Sequence, residues 1–301
     1  MLRALSADVL ADSAADVGEG PTWDRAANCL VWVDITQGMV HLTESTGQAR
    51  ASYPCHDYIG AALPIESGEG WLLARRADFV RLAADGAITP VLNVLDDPAV
   101  RFNDAKCDPL GRAFAGTMMY DYETARGRAA LYRLDDGPQV TMVRRGVTLG
   151  NGLGWSPDSK QMYFIDSTTQ TVVAIGYDPA TGQLGADRIL CTIPVADGLP
   201  DGLCVDDSGA VWVALFGGSA IHRFSADGDL DTVVQLPVSQ VTSCAFGGAG
   251  GATLYITSAR RGLGPAALTE QPHAGAVFAL DPGVTGPAAT GWRPVAGAPV
   301  A

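Results

Sequence analysis

Pro200-Asp201-Gly202-Leu203-Cys204, then the turn Asp207-Ser208-Gly209, then Val211-Trp212-Val213-Ala214 reads as an apolar strand, a tight reversal and a second strand rich in β-branched and aromatic residues. The second strand has counterparts along the whole chain: Leu30-Val31-Trp32-Val33, Gly70-Trp71-Leu72-Leu73-Ala74, Ala113-Phe114-Ala115-Gly116, Met162-Tyr163-Phe164-Ile165 and Leu254-Tyr255-Ile256-Thr257. Measured from Leu30, Trp71, Ala113, Met162, Val211 and Leu254, the intervals are 41, 42, 49, 49 and 43 residues. Further strands follow several of them, such as Val172-Val173-Ala174-Ile175, Ile221-His222-Arg223-Phe224 and Val277-Phe278-Ala279-Leu280. Six units of this length, each with several short strands, predict an all-β chain folded as a six-bladed β-propeller of four-stranded blades. A β-sandwich has no need of the period. The first unit starts too early to leave room for a blade before it. The segment near Ala4 to Leu10 is therefore expected to lend an outer strand to the last blade and close the ring.

No polar or Pro-rich stretch divides the 301 residues, of which 47% are hydrophobic, so a single domain over 1–301 is expected. A net charge of −13 repels phosphate backbones and anionic lipid, which disfavours nucleic-acid and membrane partners and leaves a small molecule or a cation. A monomer is expected. Met1 to Val17 has no continuous apolar stretch, so it reads as neither signal peptide nor anchor, and a cytoplasmic location is expected. The six cysteines lie far apart without a C-x-x-C pair, and read as reduced, buried small hydrophobes.

The innermost strand of every blade lines the central channel, so equivalent positions of different repeats converge on one axis. Counting back 11 to 13 residues from the aromatics of the marked strands reaches Glu19, Asn103, Asn151 and Asp201, each with a side-chain oxygen. Glu19-Gly20, Asn151-Gly152 and Asp201-Gly202 share a polar residue followed by Gly; repeats two and six hold Ile59 and the neighbourhood of Ser243. Taken singly, Asn-Gly and Asp-Gly are ordinary turn dipeptides. A shared register in several blades is what turns do not explain. Two carboxylates and two carboxamides on one axis form an oxygen-rich pocket suited to one divalent ion, Ca²⁺, Mg²⁺, Mn²⁺ or an open-coordinate Zn²⁺. So few ligands leave positions for water or substrate, as a catalytic centre requires.

The chain resembles the gluconolactonase, regucalcin and senescence-marker-protein family of six-bladed propellers almost end to end. The resemblance is carried by Gly18-Glu19-Gly20-Pro21-Thr22-Trp23, Arg101-Phe102-Asn103-Asp104-Ala105-Lys106, Ala115-Gly116-Thr117-Met118, Asn151-Gly152-Leu153-Gly154-Trp155, Pro200-Asp201-Gly202-Leu203-Cys204 and Thr242-Ser243-Cys244-Ala245-Phe246-Gly247-Gly248. It implies that Glu19, Asn151 and Asp201 bind the metal, that Asp201 also serves as acid/base, and that Arg101 and Asn103 contact substrate. Where relatives of regucalcin carry a Glu after the Thr-Met pair, this chain reads Met118-Met119-Tyr120-Asp121, which makes Asp121 the candidate for sugar hydroxyls there.

The activity expected on these grounds is metal-dependent hydrolysis of a sugar-acid lactone. The cation polarises the carbonyl, and Asp201 takes a proton from water and returns it to the leaving ring oxygen. Two alternatives stand beside it: a phosphotriesterase-like metal hydrolase, and a non-enzymatic calcium-binding protein. A serine triad has no support, since no G-x-S-x-G elbow is present and His41, His56, His222 and His273 are isolated.

Overall fold

In the computed structural model, which describes residues 2–135 and 139–293, strand Leu199–Val205 is followed by Val211–Phe216, paired back on it antiparallel. Asp206 makes the reversal. Its buried carboxylate accepts from the backbone N–H of Ser208 (2.9 Å) and Ala210 (3.0 Å), and Gly209 turns the chain at φ 84°. The same carboxylate accepts from Trp212 Nε1 (3.0 Å) and Arg223 Nε (2.8 Å), so the turn is tied to the second and third strands of its own blade. Ala220–Phe224 and Leu230–Gln235 complete the sheet.

Six such sheets form the ring. Blades one to five begin with inner strands Gly18–Asp24, Ile59–Pro64, Val100–Cys107, Gly150–Trp155 and Leu199–Val205, and blade six with Val241–Gly247. Each inner strand adjoins those of both neighbouring blades, and the circle closes between Val241–Gly247 and Gly18–Asp24. The two 49-residue intervals have separate origins: an excursion from Tyr120 to Arg128 in blade three, and a ten-residue outer strand, Gln183–Thr192, in blade four.

Closure departs from expectation in one respect. Asp8–Ala11 does supply the outer strand of blade six, antiparallel to Val277–Leu280, with Val9 opposite Phe278. Arg3–Ser6 instead pairs in parallel with Leu230–Gln235 and makes blade five five-stranded. Both outer edges expose unpaired backbone groups, and the N-terminal segment satisfies each in turn.

The apolar core lies between blades. Trp23 stacks on Tyr255 with ring centroids 5.5 Å apart at the join of blades one and six, and Phe79 meets Phe102 at 4.8 Å between blades two and three. The second strands are buried on both faces, Cys29–Asp34 throughout its length, because a blade is covered by a neighbour on each side. All six cysteines are unpaired and buried. The expected domain runs to residue 301; 294–301 lie outside the described residues. Among the described residues, no helix is long and apolar enough to cross a membrane.

Candidate active site

Every inner strand slips out of register with its partner at the same level. The shift falls between Glu19 and Thr22, Ile59 and Ala61, Phe102 and Asp104, Gly150 and Leu153, Pro200 and Leu203, and Val241 and Ser243. Such a bulge inserts residues that no partner opposes and re-aims their side chains. Gly60, Asn103, Asn151, Asp201 and Thr242 all sit in these bulges, and Glu19 stands at the edge of its own. Asn151-Gly152 and Asp201-Gly202 are thus mid-strand and not turns. The glycine permits close approach of the next blade: a Cβ on Gly202 would lie 2.0 Å from Ser243 Oγ.

Glu19, Arg101, Asn103, Asn151 and Asp201 are all at most 9% exposed. Asn103 Nδ2 donates to Gly150 O (3.0 Å) and to Asn151 Oδ1 (3.2 Å), while Asn151 Nδ2 donates to Ser167 Oγ (3.0 Å). The two carboxamides therefore orient one another across blades three and four, and Asn103 keeps its own oxygen free to accept. Glu19 Oε2 accepts from Gly20 N (2.6 Å), and the Asn151 carboxamide acts on the Asp201 carboxyl to lower its pKa. Arg101 donates to Phe102 O (2.8 Å), with its guanidinium 5.5 Å from the Tyr58 ring centroid. Asp121 lies apart from this group. It is exposed in the turn after blade three's second strand, and its carboxylate accepts from Thr124 N (3.3 Å) and Thr124 Oγ1.

Several supporting residues escape sequence reasoning. Asp34 accepts from Asp16 N (2.8 Å) and Val17 N (3.1 Å); Asp166 accepts from Thr148 N (2.9 Å) and Leu149 N (3.2 Å). Each closes a second strand and pins the backbone leading into an inner strand, just ahead of Glu19 or Asn151. Their shared place after an aromatic-x pair, Trp32-Val33-Asp34 and Phe164-Ile165-Asp166, was the available signal. Tyr58 and Tyr120 meet edge to face at 5.8 Å beside Arg101.

Asp104 is the third carboxylate. Strand alternation puts it on the face opposite Asn103, but the bulge at Asn103 brings both to the interior. Burial pushes the Glu19 carboxyl well above its ordinary range, with Asp201 and Asp104 adding like charge. Burial and then Asp104 do the same to Asp201, opposed by the Asn151 carboxamide. Burial raises Asp104 to about 6 against the pull of Lys106, and lowers Arg101 to about 10. Among the described residues, none of the three carboxylates forms an ion pair. Nor do three or more His, Cys, Asp or Glu side chains converge as a metal cage there, so a cation in this place needs the carboxamide oxygens as well. Buried, unpaired carboxylates beside oriented carboxamides are the donors a hard divalent ion takes, and the residues fit one.

A pH dependence follows. The folded pKa values of Glu19, Asp104 and Asp201 lie above the unfolded ones, so the folded state holds protons that the unfolded chain has released. Their contribution to stability is complete below the ordinary carboxylate range and is lost as pH rises through the folded values. In chelator, the thermal midpoint should therefore fall from about pH 5 to about pH 8, while the increment from added Ca²⁺ should grow over that range. An increment independent of pH would count against convergence of these groups.

Residues 17–260 match the family described as "SMP-30/Gluconolactonase/LRE-like region". The chain is 38% identical to "Regucalcin" of Danio rerio over 265 residues, 87% of this chain and 90% of that protein. It is 35% identical to the Bacillus subtilis (strain 168) protein named "Putative sugar lactone lactonase YvrE" over 270 residues, 89% and 92% of the two chains. The crystal structure of a calcium-binding protein, regucalcin, from Agrobacterium tumefaciens str. C58 superposes with a TM-score of 0.91 at 26% identity, covering 97% of this chain and 99% of that one. By its sequence and its ring of six blades, the chain belongs to the SMP-30/gluconolactonase/LRE-like family.

Proposed function

We propose that this chain is a divalent-cation-dependent lactonase that hydrolyses the cyclic ester of a sugar acid, an aldonolactone, to the free aldonic acid. The observation that carries the reading is the set of buried carboxylates without an ion pair, walled by a buried guanidinium and two tyrosines. The names of its relatives, a sugar lactone lactonase and a calcium-binding protein, point the same way.

Glu19, Asn151 and Asp201 would hold the cation, which when bound supplies an electrophile for the lactone carbonyl. Asp201 is the proton acceptor for the attacking water, and its carboxyl then returns that proton to the ring oxygen as the ester bond breaks. The Asn151 carboxamide favours the ionised form of Asp201, against the burial and the Asp104 charge that favour the protonated one. Arg101 has one N–H engaged by Phe102 O and others free to donate to substrate oxygens. Asn103, its amide hydrogens committed to blade four, offers an acceptor to a sugar hydroxyl. Asp121 orders the turn that carries Tyr120 at the rim, and bears on sugar recognition from there.

The test is proton release on a panel of pentono- and hexono-lactones, with chelator-treated protein reconstituted separately with Ca²⁺, Zn²⁺, Mn²⁺ and Mg²⁺ and an organophosphate run alongside. Turnover of a lactone with at least one ion, abolished by chelator, is the expected result. Organophosphate turnover without lactone turnover would select the phosphotriesterase reading. Cation binding with neither would leave a calcium-binding protein and end the lactonase proposal.

A further inference from the structure

The channel has a second mouth. Three or four residues beyond its bulge, at about 3.3 Å per residue, each inner strand reaches a level ~10–13 Å further along the axis. There all six strands wall a cavity of about 220 Å³, from Trp23 in blade one to Phe246 in blade six. None of Glu19, Arg101, Asn103, Asn151 or Asp201 lines it.

Its chemistry is the reverse of the first mouth. Lys106 is the single charged residue in the wall, and the rest is mostly apolar, including Trp23, Trp155, Val205 and Phe246. Lys106 Nζ donates to Leu203 O (2.8 Å) and its charge pulls on Asp104, yet it forms no ion pair within 4.0 Å among the described residues, so ammonium hydrogens remain for a further acceptor.

The floor is a strap that follows blade six. It is fastened at one end, where Gly286 N donates to Gly251 O (3.1 Å) and Asp207 N to Thr285 O (2.9 Å). It is fastened again where Trp292 N donates to Pro64 O (2.7 Å) and Arg293 pairs with Glu66. Between these points Pro287, Ala288, Ala289 and Thr290 border the cavity, and no hydrogen bond ties them to the described chain.

We propose that this second mouth binds a small, ring-sized monocarboxylate, with the carboxylate on Lys106 and the apolar body against Trp155 and Phe246 above the strap. One cation selects one negative charge. An apolar cavity of ~150 Å³ accepts benzene, so this larger one has room for a ring with a carboxylate. A polyhydroxylated aldonate, with little apolar surface, is a poor fit, so this is not a product site of the proposed lactonase. The inference does not depend on that activity.

Benzoate is the probe, titrated calorimetrically and by saturation-transfer NMR into the full chain without lactone. One benzoate should bind per chain, with and without chelator, and uncharged benzyl alcohol should bind at least tenfold more weakly. Lys106→Met should weaken benzoate at least tenfold. Ala289→Trp, which fills the cavity from a half-buried position of the strap, should do the same with an unchanged thermal midpoint. If Lys106→Met does not fold, Ala289→Trp and the benzyl alcohol comparison decide the matter. No binding, equal affinity for benzyl alcohol, loss with chelator, or wild-type affinity in Ala289→Trp would each overturn the proposal.

Discussion

Asp201→Asn is expected to reduce kcat for the best lactone by ~10²–10⁴-fold, the range associated with loss of a positioned acid/base, while cation affinity falls far less. The carboxamide is nearly isosteric. It keeps an oxygen toward the channel but has no basic lone pair to take a proton from water. Asp201→Ala removes the oxygen too, so it should abolish turnover and weaken the cation together. Turnover near the wild-type level in Asp201→Asn with the cation bound would remove Asp201 from proton transfer and leave it a ligand at most.

The ring was legible because a blade's second strand is covered on both sides. Trp32, Phe114, Tyr163, Trp212 and Tyr255 are all buried, and residues that must pack on two neighbours recur once per blade, every 41 to 49 residues. Glu19, Asn103, Asn151 and Asp201 were legible for a related reason. The bulge falls at the same level in each blade, so counting back 11 to 13 residues from the aromatic finds it. Asp104 was hidden by that same bulge, since alternation sends neighbours to opposite faces and nothing in the residue types marks where alternation fails. The pairing of Arg3–Ser6 was hidden differently: the outer edges of blades five and six offer the same backbone groups, and the choice between them is made by the path of the chain. Tyr58 and Tyr120 lie in connections between strands, where no register relates them to Arg101. Asp121 was placed by resemblance alone, and its turn with Thr124 depends on a local excursion that the repeat does not dictate.

Glu19→Gln should move stability and function in opposite directions. In chelator, the wild-type chain keeps Glu19, Asp104 and Asp201 together in a buried place, and each raises the cost of ionising another. A neutral amide at position 19 ends part of that repulsion, and its oxygen can still accept from Gly20 N. The metal-free variant is therefore expected to melt ~1–2 °C higher than wild type near neutral pH, equivalent to about 1 kcal/mol in a chain of this size. With cation the order reverses. The variant has lost a charged ligand, and its affinity should fall by at least ~10–100-fold, the loss that follows removal of even a hydrogen-bond partner of a ligand. At a Ca²⁺ concentration that saturates wild type, linkage then stabilises wild type by more than the variant, and the two melting curves cross as Ca²⁺ is added. A crossing cannot come from a merely damaged fold, which would lower the variant's midpoint at every concentration. Parallel melting curves at all Ca²⁺ levels would mean that Glu19 neither shares the carboxylate cluster nor meets the ion.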